Sequence, residues 1–234
     1  MKKTVIITGG SSGYGLAAAG AFKRAGYTVL ITARHEDALQ SAQKASGADY
    51  IFVQDVTDYD GWLRLKAFAA QKLGVVDVLV NNAGGGIRIK PVEEQTRETI
   101  DQSIALNLTA VIYSANVFVP QMKARKRGTM INVTSVCATH AWPSWSVYAA
   151  AKSGVRSFTK GMQTELQPFG VRATCIIPAS CGTNFSKSAG TPAGVHSLTA
   201  DDIANTILYA AELPETAIME EVTVWGMSQM VQPL

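Results

Sequence analysis

Histidine and cysteine are scarce in this chain, with three of each among 234 residues. Cys137, Cys175 and Cys181 make an odd count without metal-ligand spacing, which argues against a disulfide framework and against a zinc module. Free thiols in a reducing cytoplasm are the simplest reading, and no metal site is expected. Charge is sparse as well: Asp, Glu, Lys and Arg make up 17% of the residues and the net charge is +3. That balance leaves no electrostatic footprint for a nucleic-acid partner. The cluster Lys123, Arg125, Lys126 and Arg127 reads as the solvated last turn of a helix before Gly128, where cations complement the dipole. No segment is read as long and apolar enough to span a membrane. The apolar run after Met1-Lys2-Lys3 stops at Gly9 with no small-residue cleavage site, so neither a signal peptide nor a membrane partner is expected.

What the chain does have is apolar residues, 47% of the total, and a length that suits one sizeable core. A single domain over 1–234 is therefore expected. Strand-like runs cover Thr4–Thr8, Thr28–Thr32, Tyr50–Asp55, Val76–Asn81, Thr129–Ser135, Arg172–Ile177 and Val222–Trp225. Continuous apolar runs such as Val5-Ile6-Ile7 and Val78-Leu79-Val80 imply strands buried on both faces, as in a parallel sheet. Helical periodicity fits Leu16–Ala25, Glu36–Ala45, Gly61–Lys72, Arg97–Arg125, Ser146–Gln167 and Ala200–Ala211. The alternation predicts an α/β fold, a Rossmann-like doubly wound parallel sheet of about seven strands with helices on both faces. One irregular stretch, Ser180–Leu198, is rich in Ser, Gly, Thr and Pro and reads as a loop or small lid.

The segment Thr8-Gly9-Gly10-Ser11-Ser12-Gly13-Tyr14-Gly15 ends the first strand and opens the first helix. Glycine allows the tight turn and a close approach of backbone N–H groups to an anion, and the helix N-terminus favours a pyrophosphate. Further candidates fall at the carboxyl ends of later strands, where such sheets bind ligands. Asp55-Val56 follows the third strand and reads either as a contact for an adenine or as a helix cap. Asn81-Asn82-Ala83-Gly84 follows the fourth, where the asparagines satisfy sheet-end carbonyls and the small residues admit a ligand. Ser135 ends the fifth strand, as a donor to a carbonyl or as a turn cap. Asn107 is a polar amide inside an apolar helical pattern and needs partners if buried.

Tyr148 and Lys152 stand four apart in a helical run, on one face. A tyrosine active near neutrality needs its pKa lowered by roughly 3 units, about 4 kcal/mol. One ammonium about 4 Å away supplies that at an effective dielectric near 20.

Together, Thr8-Gly9-(x)3-Gly13-x-Gly15, Asp55, Asn81-Asn82-Ala83-Gly84, Asn107, Ser135 and Tyr148-(x)3-Lys152 resemble the short-chain dehydrogenase/reductase family, in order and spacing from residue 4 to about 185. The resemblance implies an NAD(P)-dependent oxidoreductase with a catalytic tetrad of Asn107, Ser135, Tyr148 and Lys152. It implies cofactor contacts from Gly9, Ser11, Ser12, Gly13, Tyr14 and Gly15, from Asp55 and Val56, from the backbone of Asn82, Ala83 and Gly84, from Tyr148 and Lys152, and from Pro178, Cys181 and Thr183. Within it Tyr148 is the proton donor, Ser135 holds the carbonyl, Lys152 lowers the Tyr148 pKa and bonds the cofactor ribose, and Asn107 anchors a water. The chain departs from the pattern where Pro178-Ala179 replaces Pro-Gly, Cys181 replaces Val or Ile, and Tyr14 replaces an aliphatic residue and narrows the cleft.

Ala33 offers no acid to a ribose and Arg34 follows it, so NADP(H) is expected over NAD(H), although Ser12 stands where NADP enzymes often carry a base. The expected substrate is a small carbonyl compound or alcohol, held by Ser135 and Tyr148 against a wall of Gly85, Cys137 and Trp145. Trp142 is placed on the rim, with Arg88 available to attract an acid. The stretch from Leu213 to Leu234 faintly resembles a serine/3-hydroxy-acid dehydrogenase branch. A 3-oxoacyl thioester reductase competes with that reading, and an inactive nucleotide sensor is the remote alternative. Helices Arg97–Arg125 and Ser146–Gln167 carry Val111, Ala115, Val119, Ala150, Val155 and Phe158 beyond one stripe, which predicts a homotetramer or homodimer.

Overall fold

The computed structural model describes residues 2–181, 189 and 198–229. Seven parallel strands form one sheet: β1 (Thr4–Thr8), β2 (Thr28–Ala33), β3 (Tyr50–Val53), β4 (Val78–Asn81), β5 (Gly128–Val133), β6 (Val171–Pro178) and β7 (Glu221–Val224). Their spatial order is β3-β2-β1-β4-β5-β6-β7. The helices are α1 (Gly13–Arg24), α2 (Glu36–Ser46), α3 (Tyr59–Lys72), α4 (Arg97–Ile104), α5 (Ala110–Arg125), α6 (Ser146–Leu166) and α7 (Ala200–Glu212).

Side chains alternate across the strands and so divide the core into two layers. Val5, Ile7, Val29 and Ile31 pack on one face with Ala18, Ala19 and Phe22 of α1 and Ile203 and Ile207 of α7. Ile6, Leu30, Leu79 and Met130 pack on the other with Trp62 and Leu65 of α3 and Phe118 and Met122 of α5. Both faces are covered, which is why every residue of β1, β4 and β5 is buried. The chain winds outward from β1 in one direction and from β4 in the other. The crevice at this reversal opens at the carboxyl ends of β1 and β4, where the glycine turn and the Asn81-Asn82 pair stand.

The stretch Arg97–Arg125 departs from the sequence reading in two ways. It is continuous over 29 residues and reaches a mean hydropathy of 1.4, so by length and composition alone it could cross a membrane. Here its apolar surface packs on the sheet through Val117, Phe118 and Met122, as a core helix does. It is also not a single α-helix: residues Ala105–Thr109 form a π turn between α4 and α5. The outer-face assignment also needs correction. Val111, Ala115 and Val155 are buried within this chain's own core, while Val119 and Phe158 are partly buried against it. Of the six, only Ala150 is exposed.

Candidate active site

One cleft of about 370 Å³ runs along the crevice. At one end it is lined by Ala33, Arg34 and His35 after β2 and by Gln54, Asp55 and Val56 after β3. Gly9, Ser11, Ser12, Gly13 and Tyr14 line its middle together with Asn82, Ala83 and Gly84. Leu106, Val133, Thr134, Tyr148 and Lys152 line the inner end.

The glycine turn is built for close approach. Gly9 has φ +65°, a left-handed conformation that other residues adopt at a cost, and a Cβ there would sit 3.0 Å from Ala83 Cα. Gly15 is buried beneath the turn and lines no part of the cleft; a Cβ would collide with the Gly9 carbonyl oxygen and lie 2.6 Å from Asn82 Nδ2. Its hydrogen in place of a side chain lets the helix pack under the loop, a role distinct from the cofactor contact assigned to it from sequence. The loop is fastened to β4 by Thr8, to which the sequence reading gave no role, and by Asn82, expected there to satisfy a sheet-end carbonyl. Thr8 Oγ1 accepts from the backbone N–H groups of Asn82 and Ala83, both at 3.0 Å, while Asn82 Nδ2 donates to the Thr8 carbonyl at 2.9 Å.

Helix capping separates the groove from the rest of the molecule. Helices α3, α4 and α7 are capped by the side chains of Asp58, Thr96 and Thr199. Helices α1, α2 and α6, which begin at the groove or its inner end, have no side-chain cap at Ser12, His35 or Trp145. Their first-turn N–H groups are left for another acceptor, and an uncapped helix end is a ready anion site. Asp55 is not the cap of α3: its carboxylate closes a local turn, accepting from Thr57 N at 2.9 Å and Thr57 Oγ1 at 2.7 Å. The uncapped α1 terminus, the missing Cβ atoms and exposed Arg34 together fit an extended dinucleotide with a pyrophosphate at its centre.

At the inner end four polar side chains converge. Asn107 is fully buried in the π turn; its Nδ2 donates to the Gly85 and Ser103 carbonyls at 2.9 and 3.1 Å, and its Oδ1 accepts from Gly85 N at 3.0 Å. A Cβ on Gly84 would stand 3.0 Å from both Asn107 Oδ1 and Lys152 Nζ, so the glycine leaves room for the two to approach. Lys152 Nζ donates to the Val133 carbonyl at 3.2 Å. Ser135 caps a short 3-10 turn, its Oγ accepting from Cys137 N at 3.2 Å, and it hydrogen-bonds Tyr148. The turn-cap reading of Ser135 is thus met, and its hydroxyl stands beside that of Tyr148.

The electrostatics correct one expectation. Burial, and then the Cys137 sulfur, push the Tyr148 phenol above its ordinary value, against a lowering by Ser135. Lys152 Nζ lies 5.7 Å from the ring centroid and does not bring the phenol down. Burial also pushes the Lys152 ammonium down to about 8. Desolvation is the largest influence on Tyr148 and favours its protonated form, a proton donor.

Of the expected substrate wall, Trp145 sets its ring edge-on to Tyr148, with centroids 5.6 Å apart. Cys137 is buried beside Ser135, and Gly85 is held by Asn107. Trp142 instead packs on His140, which meets Trp225 at 5.4 Å. Arg88 is exposed and lines no part of the cleft. Pro178 ends β6, and Ala179 is not among the residues of positive φ, so it replaces glycine there without strain. Cys181 touches Tyr14, whereas Thr183 and most of Asn184–Leu198 lie outside the described residues. Adjacent groove residues not foreseen are His35, Gln54, Leu106, Val133 and Thr134; four of the five flank a candidate that was foreseen.

The comparisons with known proteins agree with this fold. A serine 3-dehydrogenase of Agrobacterium fabrum is 31% identical over 225 residues, covering 92% of this chain and 90% of the relative. The closed form of a serine dehydrogenase complexed with NADP+ superposes with a TM-score of 0.92 at 26% identity, covering 99% and 98% of the two chains. An alcohol dehydrogenase of Thermococcus sibiricus complexed with 5-hydroxy-NADP gives 0.88 at 26% identity over the full length of both. The short chain dehydrogenase family model matches residues 3–193, and the chain belongs to that family of oxidoreductases.

Proposed function

We propose that this protein is an NADP(H)-dependent oxidoreductase that interconverts a carbonyl compound and an alcohol, with Tyr148 as general acid and base. The observation that carries the reading is the convergence of Ser135, Tyr148 and Lys152 at the inner end of a groove whose other end carries Arg34. The cofactor would supply or accept hydride. In reduction, the buried Tyr148 hydroxyl gives its proton to the carbonyl oxygen as charge develops there. Ser135 orients Tyr148 and offers a second donor to that oxygen. Lys152 holds positive charge beside Tyr148 and reaches toward the groove, where a ribose would lie. Asn107 fixes the Gly85 backbone and with it the floor between the groove and the substrate space. Arg34, with no acid at Ala33, favours a 2′-phosphate. The odd number of cysteines supports a reducing cytoplasm as the place of action.

For the substrate class, the serine 3-dehydrogenase relative favours a 3-hydroxy acid over an acyl thioester. The test is NADPH oxidation, and NADP+ reduction, against a panel of hydroxy acids, ketones, aldehydes and 3-oxoacyl thioesters. Turnover of one class is expected, with Tyr148→Phe folded and at least about a hundredfold slower. Near-wild-type turnover by Tyr148→Phe would remove the mechanism, and cofactor binding with no turnover on any class would favour a sensor.

A further inference from the structure

A second cleft, of about 250 Å³, opens at the other end of the sheet from the groove, among the amino ends of β1, β4, β5 and β6. Tyr27, just before β2, lines it and is only 3% exposed. Its ring packs edge-on to Phe22, with centroids 4.9 Å apart, but its buried hydroxyl has no hydrogen-bond partner among the described residues. Burial, and then Glu212 and Asp77, push this phenol up to about 12 against a lowering by Arg172 and Arg127, so at neutral pH it is a donor. A buried donor without an acceptor is rare and costly in a folded chain. Over the ring stands Lys3, an exposed residue whose Nζ lies 6.0 Å from the centroid. Its flexible stem lets the ammonium swing toward a ligand and open the way to the hydroxyl.

The charges around the cleft are unevenly matched. Of the lining carboxylates, Asp77 accepts from Thr4 N at 2.9 Å and pairs with Arg125 at 3.4 Å, while Glu215 pairs with Arg127 at 3.7 Å. The lining cations Lys3, Lys126 and Arg172 have no carboxylate partner among the described residues. Arg172 gives its donors to neutral acceptors: Nη1 to the Leu213 carbonyl at 2.7 Å, and Nη2 to Thr129 Oγ1 at 3.0 Å and the Ala211 carbonyl at 3.2 Å. It closes the end of α7 with its charge unbalanced. Cations at this end of the sheet also complement helix C-termini, but a helix dipole offers nothing to a buried phenol hydroxyl.

We propose that this cleft is a second ligand site, which takes a small dianion of the phosphate or dicarboxylate type through the Tyr27 hydroxyl, Lys3 and Lys126. An oxyanion supplies the acceptor that Tyr27 lacks, in a charge-assisted hydrogen bond, and meets the unmatched cations. The cleft is smaller than the roughly 300–1,000 Å³ of pockets for drug-sized ligands, which suits an ion of a few heavy atoms. Occupied, it ties the amino ends of four strands together and stabilises the folded chain by linkage.

The test measures thermal midpoints against inorganic phosphate, malonate and chloride at matched ionic strength, for wild type, Tyr27→Phe, Lys126→Ala and Arg34→Ala. Phosphate or malonate is expected to raise the midpoint of wild type and of Arg34→Ala alike, beyond any effect of chloride. A response to either supports the site, and the stronger one names its ligand class. Without added anion Tyr27→Phe should match wild type, because the packing on Phe22 remains and only an unpaired hydroxyl is gone. Its apparent dissociation constant for the anion should weaken at least about tenfold, and that of Lys126→Ala about threefold. No rise in wild type, an equal rise with chloride, or a rise unchanged in both Tyr27→Phe and Lys126→Ala would overturn the proposal. A rise lost in Arg34→Ala would place the anion in the groove and overturn it as well. Should Tyr27→Phe fail to fold, Lys126→Ala, a change at an exposed residue, decides the matter.

Discussion

Lys152 is an ammonium in a residue only 3% exposed, whose one hydrogen bond among the described residues is to the Val133 carbonyl. With its folded pKa near 8 and its ordinary value 10.5, the folded protein sheds this proton earlier than the unfolded chain does. Between those values the unfolded chain binds more protons, so stability rises with pH across the window, by on the order of 3 kcal/mol. Lys152→Met removes the term. Urea midpoints taken from pH 7 to 10.5 should rise more steeply for wild type than for the variant, and parallel slopes would contradict the burial of a charged Lys152. Arg34 sits at the opposite extreme, exposed at the rim. Arg34→Ala should weaken NADPH by about tenfold and leave NADH nearly unchanged, as expected for a charge-assisted contact to a 2′-phosphate. Equal losses with both cofactors, or an NADH preference in wild type, would speak against that contact.

Among the elements, the π turn at Ala105–Thr109 most directly makes a site. The extra residue in the turn interrupts regular helix hydrogen bonding and places Asn107 where its amide satisfies both backbone groups of Gly85. Asn107→Leu strands those part-buried groups. An expected loss of about 3 kcal/mol, read by urea unfolding, should accompany weaker NADPH binding. The sequence shows the apolar pattern through Leu106 and Leu108 but not the inserted residue, because a period of 3.6 and a single wide turn look alike over five positions. Strands were easier to read: buried parallel strands are runs of β-branched residues, and all seven appear within two residues of their observed ends. Tyr50–Asp55 ran too long because Asp55 turns inward on Thr57, a choice that propensity does not register. Tyr148 and Lys152 were legible from a spacing of four. The direction of the Tyr148 shift was not, since it depends on burial and on a 5.7 Å separation that only packing determines. The Tyr14–Cys181 contact lay further out of reach, as it needs the relative placement of α1 and the end of β6.

For the molecule as a whole, the winding of the sheet decides where chemistry is possible. Reversal of strand order between β1 and β4 opens one crevice, and the same parallel packing sends every strand's carboxyl end to its rim. Helices α5 and α6 cover one face, and α6 contributes Tyr148 and Lys152 from its inner side. Their outer side carries Ile112, 38% exposed, and the exposed Ala150, and Tyr113 of α5 packs edge-to-face on Tyr59. Since Val111, Ala115 and Val155 are spent on the core, a self-association through these helices would rest on the small, outward-facing residues around Ile112 and Ala150. A homodimer or homotetramer is the expected outcome. Sedimentation at micromolar concentration should give two or four times the chain mass, and Ile112→Glu should shift it toward one and weaken NADPH binding with it. Because an interface on this face would share α6 with the site, cofactor binding and assembly are expected to favour each other. Adding NADPH to a dilute sample should raise the assembled fraction, and a monomer unaffected by NADPH at those concentrations would refute assembly through this face.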